Sequence, residues 1–171
     1  MELVQITFDN YKKLQLNIDD DPVRPELDLD FRLTTGRQIW ALVLDGEYKA
    51  AVCVAYCNSV PTTVYELDLY SQAAYQEAGH GSIAVAYTVW TKKLGAGRKL
   101  IMDMIKLLEE ETPHVQRLVT LSPKTAMAKK FHLRNGAFIL QENKETDNYE
   151  YTLREKEKGN IGQDRFETLS C

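Results

Sequence analysis

A chain of 171 residues, 44% apolar and 27% charged, has the size and make-up of one soluble globular domain with a real core. Its formal net charge of −4 gives no support for a nucleic-acid partner. Its three cysteines, Cys53, Cys57 and Cys171, are too few for a disulfide framework and form no Cys/His cluster for a zinc site. They read as buried thiols of a reducing compartment. With no charged-then-apolar leader and no apolar run long enough to span a bilayer, the expectation is a cytoplasmic protein without membrane contact or bound metal, monomeric or homodimeric.

Phe8, Tyr11, Leu14 and Ile18 recur at helical spacing behind Thr7, a plausible cap, so a first helix is expected there. Asp19-Asp20-Asp21-Pro22-Val23-Arg24-Pro25 breaks it with two prolines and runs acidic through Asp28 and Asp30, as an exposed loop would. Arg37 to Leu44 predicts a strand, Asp45-Gly46 a hairpin turn, and Tyr48 to Tyr56 the partner strand. After a turn over Asn58 to Thr63, Tyr65, Leu67 and Leu69 alternate with polar neighbours, predicting a half-polar strand through Tyr70. Ser71 to Gly81 is expected as a loop or short helix. Ser82 to Trp90 is β-branched and aromatic, the composition of a buried strand. Leu100, Ile101, Met104, Ile105 and Leu108 mark one face of a helix, with Pro113 beyond it. Arg117 to Leu121 predicts a strand leading to Ser122-Pro123, expected as the cap and first residue of another helix. That helix should carry Met127, Ala128 and Phe131 inward and stop at Asn135-Gly136. Ala137 to Gln141 and Asn148 to Leu153 form a last hairpin. Residues 1–154 are then a single α/β domain, a mixed, mostly antiparallel twisted sheet with helices on both faces, and 155–171 a charged, frayed tail.

The chemistry concentrates at Lys92-Lys93-Leu94-Gly95-Ala96-Gly97-Arg98, between the buried strand and the amphipathic helix. Strand, glycine-rich turn and helix start aim free backbone N–H groups and the positive end of a helix dipole at one spot, which suits a phosphate or pyrophosphate. Glycines let a bulky anion approach the backbone, and Lys92, Lys93 and Arg98 add positive charge. The same turn could equally be a packing device. It is not a P-loop, because no Gly-Lys-Ser/Thr follows Gly95. The dinucleotide fingerprint fails too, since Leu100 stands where its third glycine belongs.

Two motifs in the expected order make residues 3–153 resemble the GCN5-related N-acetyltransferases. The family's coenzyme A loop, Gln/Arg-x-x-Gly-x-Gly/Ala, stands here as Lys92-x-x-Gly95-x-Gly97. Its second motif, Ser-Pro-x-Asn-x-x-Ala-x-x-Phe-Tyr-x-x-x-Gly-Phe, stands as Ser122-Pro123 through Ala128, Phe131, His132 and Gly136-Ala137. The resemblance implies that the amides of Leu94, Gly95, Ala96, Gly97 and Arg98 hold the pyrophosphate of acetyl-CoA. It implies that Ala86, Tyr87, Thr88 and Val89 pair with the pantetheine arm, and that the acyl group passes to an unidentified amine. Where the family has a tyrosine that protonates the leaving thiolate, this chain has His132. An imidazole with an unperturbed pKa of about 6.5 can carry that proton, so His132 is the candidate general acid; otherwise it is a partly exposed helix residue. Thr125 stands in place of a cofactor-contacting asparagine and either contacts the cofactor or caps its helix. No base is assignable: Glu66, Asp68, Glu77 and His80 precede the cofactor strand, and the Asp19–Asp30 segment falls where the family shapes its acceptor pocket.

Thr120-Leu121-Ser122-Pro123 and Phe131-His132-Leu133-Arg134-Asn135-Gly136-Ala137 also resemble fragments of malonyl-CoA decarboxylase, a family that uses a serine and a histidine in such motifs. Within one straight helix, Ser122 and His132 would lie about 15 Å apart, too far to hydrogen-bond. The chain is also too short for that family's extra helical region. The rival from another class is a non-catalytic acyl-CoA-binding or protein-binding module on the same scaffold.

Overall fold

In the computed structural model, which describes residues 1–154, the chain opens with a strand, β1 (Glu2–Ile6). No strand is expected there from the sequence. The predicted first helix is instead a run of turns. Tyr11 N and Leu14 N donate to Thr7 O and Asn10 O as a helix would, but Gln15 then adopts φ 60° and ends the pattern. A single 3₁₀ turn, Ile18–Asp20, and a short helix α1 (Leu29–Leu33) follow. The hairpin of β2 (Arg37–Leu44) and β3 (Glu47–Cys57) turns at Asp45-Gly46 as expected.

The largest departure is α2 (Val64–Ala78), one helix where a strand and a loop are predicted. Tyr65, Leu67 and Leu69 do alternate, yet the side chains buried are Leu67, Ser71 and Ala74, at i, i+4 and i+7. The overlooked signal is Thr63-x-x-Glu66, a capping box: the Thr63 hydroxyl accepts from Glu66 N at 3.0 Å, and the Glu66 carboxylate accepts from Thr62 N at 2.7 Å.

The second half matches its pattern more closely: β4 (Ile83–Thr91), α3 (Ala96–Glu111), β5 (Arg117–Thr120), α4 (Ala126–Arg134) and the hairpin of β7 (Phe138–Glu142) and β8 (Thr146–Tyr151). Ser122-Pro123 does not start α4; it is a two-residue strand, β6, paired with β8. Thr125 is the cap, its hydroxyl accepting from Ala128 N at 3.1 Å. Met127, expected inward, is 83% exposed, because the helix starts three residues later than predicted and turns that position outward.

The sheet runs β1-β2-β3-β4-β5-β8-β6, with β7 on β8, and every pairing is antiparallel except β4 with β5. Alternation along β3 divides the core. Val52, Val54 and Tyr56 meet Leu100, Ile101, Met104 and Leu108 of α3 on one face. Ala51, Cys53, Ala55 and Cys57 face Leu67 of α2 on the other. The sheet is thus mixed and mostly antiparallel, with helices on both faces. Cys53 and Cys57 are buried free thiols, as expected. Burial pushes the Cys53 thiol up to about 12. Cys171 and the predicted tail over 155–171 lie outside the described residues. No helix among the described residues is long and apolar enough to cross a membrane.

Candidate functional site

The site is made where the sheet opens. The β4–β5 pairing stops at Ala86↔Thr120, with one further bond from Leu121 N to Ala86 O at 2.9 Å. Beyond it, β4 continues from Tyr87 to Thr91 without β5 beside it. A register shift falls at the same place: Cys53 faces Thr88 and Val54 faces Ala86, leaving Tyr87 as the extra residue of a bulge. The bulge moves inward-facing positions by one, so Ala84 and Ala86 but then Val89 pack on the α3 side. Strand divergence and bulge together leave backbone N–H and C=O groups of β4 along the wall of a groove of about 660 Å³.

At one end the groove meets the start of α3. Gly95 caps that helix at φ 83°, a conformation other residues rarely adopt, and Lys99 N closes the first turn on Gly95 O at 3.5 Å. The amides of Gly97 and Arg98 are among the first-turn donors that a helix cannot pair internally. Gly97 also packs against α4: a Cβ there would stand 3.0 Å from the Phe131 ring and 3.0 Å from Thr91 Cγ2. The exposed Arg98 reaches across to α4, donating to Asn135 Oδ1 at 3.0 Å. Leu94, Gly95, Gly97 and Arg98 line the groove.

The other end is dry. His132 is 6% exposed, and its Nδ1 lies 2.8 Å from the hydroxyl of Tyr151, itself 2% exposed. Tyr149 stacks on the imidazole, ring centroids 5.1 Å apart, and Phe131 meets it edge-on. Burial pushes His132 down to about 4, so the ring is neutral at pH 7. A ring buried in this way holds a proton less readily near neutrality than the unperturbed imidazole expected from the sequence. Ser122, buried on β6, lines the same groove, with its Oγ 2.8 Å from Thr120 Oγ1. Ser122 and His132 therefore do not share one straight helix, and the separation expected on that basis does not apply.

Across the opening lies a strap from the acidic segment. Asp21, expected on a wet surface, is fully buried: its carboxylate accepts from Arg32 Nη1 at 2.8 Å, Thr88 Oγ1 at 2.9 Å and Val23 N at 2.8 Å. That anchor carries Arg24 into the strand split, where Nε donates to Tyr87 O at 3.3 Å and Nη2 to Leu121 O at 3.1 Å. Desolvation lowers the pKa of this guanidinium.

No protein-family model matches the sequence and no curated protein sequence matches it; the likeness is in the fold. The malonyl-CoA decarboxylase of Agrobacterium vitis superposes with a TM-score of 0.69 at 17% identity, over 92% of this chain and 61% of that one. The GNAT-like decarboxylase GphF, in complex with isobutyryl-CoA, superposes with a TM-score of 0.67 at 14% identity, over 90% of this chain and 100% of that one. The Campylobacter jejuni N-acetyltransferase PseH, in complex with acetyl coenzyme A, gives 0.54 at 15% identity, over 88% and 97%. The chain has the GNAT fold. It spans about three fifths of the length of the malonyl-CoA decarboxylases it resembles.

On this GNAT scaffold the residues singled out in the sequence divide. Ala86, Tyr87, Thr88, Val89, Leu94, Gly95, Gly97, Arg98, Thr125 and His132 line the groove, whereas Ala96 is buried in the core and does not. Lys92 and Lys93 do not line it: Lys92 Nζ lies 3.7 Å from Glu47 and 4.7 Å from the centre of the Tyr48 ring. None of the four candidate bases reaches the groove. Glu66 caps α2, Asp68 pairs with Arg37 at 3.1 Å, and Glu77 is exposed on α2. His80 stacks on His114 at 4.1 Å in a separate cavity of about 560 Å³. The carboxylate that does line the groove is Asp20, bonded to the Tyr48 hydroxyl. Sequence reasoning missed Arg32 and Tyr151 and read Asp21 and Arg24 only as part of an exposed acidic loop, since each acts through a partner distant in sequence.

Proposed function

We propose that this chain binds an acyl-CoA in the groove and transfers its acyl group to an amine. The observation that supports this best is the pairing of an open first turn of α3, beside Arg98, with a bulged β4 edge leading to His132. The amides of Gly97 and Arg98 and the Arg98 guanidinium suit a pyrophosphate. The β4 edge from Ala86 to Val89, with Leu121 on Ala86 O and Arg24 on Tyr87 O, lines a volume that suits an extended, amide-bearing pantetheine arm. At the far end the thioester would meet His132. The amine nitrogen attacks the thioester carbon, the C–N bond forms, the C–S bond breaks, and the surplus proton on nitrogen ends on the departing thiolate to give the amide and CoA. Asp20 is the carboxylate in the groove lining that would attract a cationic amine.

A second reading, decarboxylation of a carboxylated acyl-CoA, is favoured by Ser122 and His132 lining one groove. There the C–C bond to the carboxylate breaks, CO₂ leaves, and the resulting enolate takes a proton from water. Calorimetry with acetyl-CoA, then thiol release over a panel of amines and CO₂ release from malonyl-CoA, tests both. Thiol release with an amine supports transfer, and CO₂ release supports the second reading. No binding at high micromolar cofactor overturns both. Binding without turnover overturns the enzyme and leaves an acyl-CoA-binding module.

A further inference from the structure

The Tyr151 hydroxyl is bonded to the imidazole of His132 and takes no part in the acyl transfer or the decarboxylation described above. Its placement has a direct origin in the fold. Tyr149 and Tyr151 are two residues apart on β8 and so project to the same face, where α4 lays His132 over them. One ring stacks on the imidazole and the other meets it edge-on, at 5.9 Å between centroids, with its hydroxyl at Nδ1.

The bond at 2.8 Å can run either way, and the surroundings decide which. Tyr151 is buried and makes this one hydrogen bond among the described residues. Its proton therefore has one acceptor, Nδ1. If Nδ1 carried hydrogen, the phenol proton would be buried without a partner, at the full cost of a desolvated hydroxyl. Burial raises the Tyr151 pKa, so the phenol keeps its proton. The charged groups around the same groove do not reverse this. Arg98 from α3 is bonded to Asn135, Arg134 of α4 is exposed, and Asp20 from the strap is bonded to Tyr48. The cause acting on the His132 ring is desolvation alone.

We propose that Tyr151 is a positioning residue: by donating to Nδ1 it fixes neutral His132 as the Nε2–H tautomer and makes it a hydrogen-bond donor to the acyl group. This rests on the reading of the groove as an acyl-CoA site, and it changes what His132 does there. A neutral imidazole with its proton on Nε2 polarises the thioester carbonyl; it does not hand a proton to the thiolate. No bond is made or broken at His132, so the ring begins and ends each turnover in one state. An imidazolium acid would lose rate as pH rises through its ordinary pKa, whereas this donor keeps its rate there.

The tautomer can be read in the free protein by nitrogen-15 NMR of the histidine rings, which separates this proposal from the acyl-CoA reading. His80 and His114 supply the two other signals of a three-histidine chain and are assigned by substitution. The expected result is a neutral Nε2–H ring for His132 from pH 5.5 to 8. Tyr151→Phe, which removes only the hydroxyl, should shift the His132 signals toward a mixture of tautomers. It should also lower kcat about tenfold, with KM for acyl-CoA within about twofold. The proposal is overturned by an Nδ1–H ring or an imidazolium at pH 7. It is overturned as well by a Tyr151→Phe protein with unchanged ring signals, or by a rate that declines through pH 6.5. If the ring is Nε2–H and responds to Tyr151→Phe while no acyl-CoA binds, the tautomer assignment stands and the acyl-CoA reading fails.

Discussion

Arg98 stands in water over the open first turn of α3 at one end of the groove, while His132 and Tyr151, and the Asp21–Arg32 pair under the strap, are closed off from it. The first end needs little beyond its own seven residues: a strand, two glycines and a helix start place the donors. The second is assembled from α4, β8, β6 and the strap. Its groups are held by partners 11 to 97 residues away, from Arg32 on Asp21 to Leu121 on Arg24. In the proposed complex an anion would be met by local backbone in high dielectric, and the acyl group by side chains in low dielectric, where a missing partner is expensive.

The contrast breaks most severely at Asp21. Asp21→Ala leaves the Arg32 guanidinium buried and unpaired, and should cost about 3–5 kcal/mol of stability in urea unfolding. Converting the pair to Asp21→Leu with Arg32→Met should recover much of that loss. Next is pH. His132 has a folded pKa of about 4, below its unfolded value, so protonation favours the unfolded chain. The contribution is fully present above pH 6.5 and is lost as pH falls toward 4. At 1.36 kcal/mol per pKa unit it amounts to up to about 3 kcal/mol, visible as a falling unfolding midpoint that His132→Asn should flatten. For activity, His132→Asn should lower kcat about 100-fold while leaving the Kd for CoA within about twofold.

Smaller effects belong to the exposed end. Gly97→Val would bring its Cβ to 3.0 Å from Phe131 and Thr91, inside van der Waals contact, so it should weaken CoA binding about tenfold by calorimetry before it touches kcat. Lys92→Ala should change the CoA Kd by less than about twofold, because Lys92 is turned toward Glu47 and Tyr48. A large loss there would mean that the anion site extends beyond the first turn of α3.

Legibility followed the range of the forces involved. The β2–β3 hairpin and the buried strand β4 followed from alternation and turn residues, and the glycine loop from composition. The predicted strand at Tyr65–Tyr70 failed because two faces of a short alternating segment fit either period. The capping box at Thr63 and packing on β3 then selected the helix. His132 could be singled out by its place in a motif, but its neutrality could not, since that comes from Tyr149, Tyr151 and Phe131 closing over the ring.

The sequence by itself determined the order of most elements, the amphipathic face of α3 and the glycine turn before it. All of these are set by steric and hydrophobic preferences acting within a few residues. Only the tertiary structure decided that β4 parts from β5 at a bulge, that Arg24 is strapped into the split, that Ser122 and His132 share one groove, and which ring nitrogen of His132 is covered. Those outcomes depend on desolvation and on hydrogen bonds between residues far apart in the chain, and neither exists until the sheet has closed.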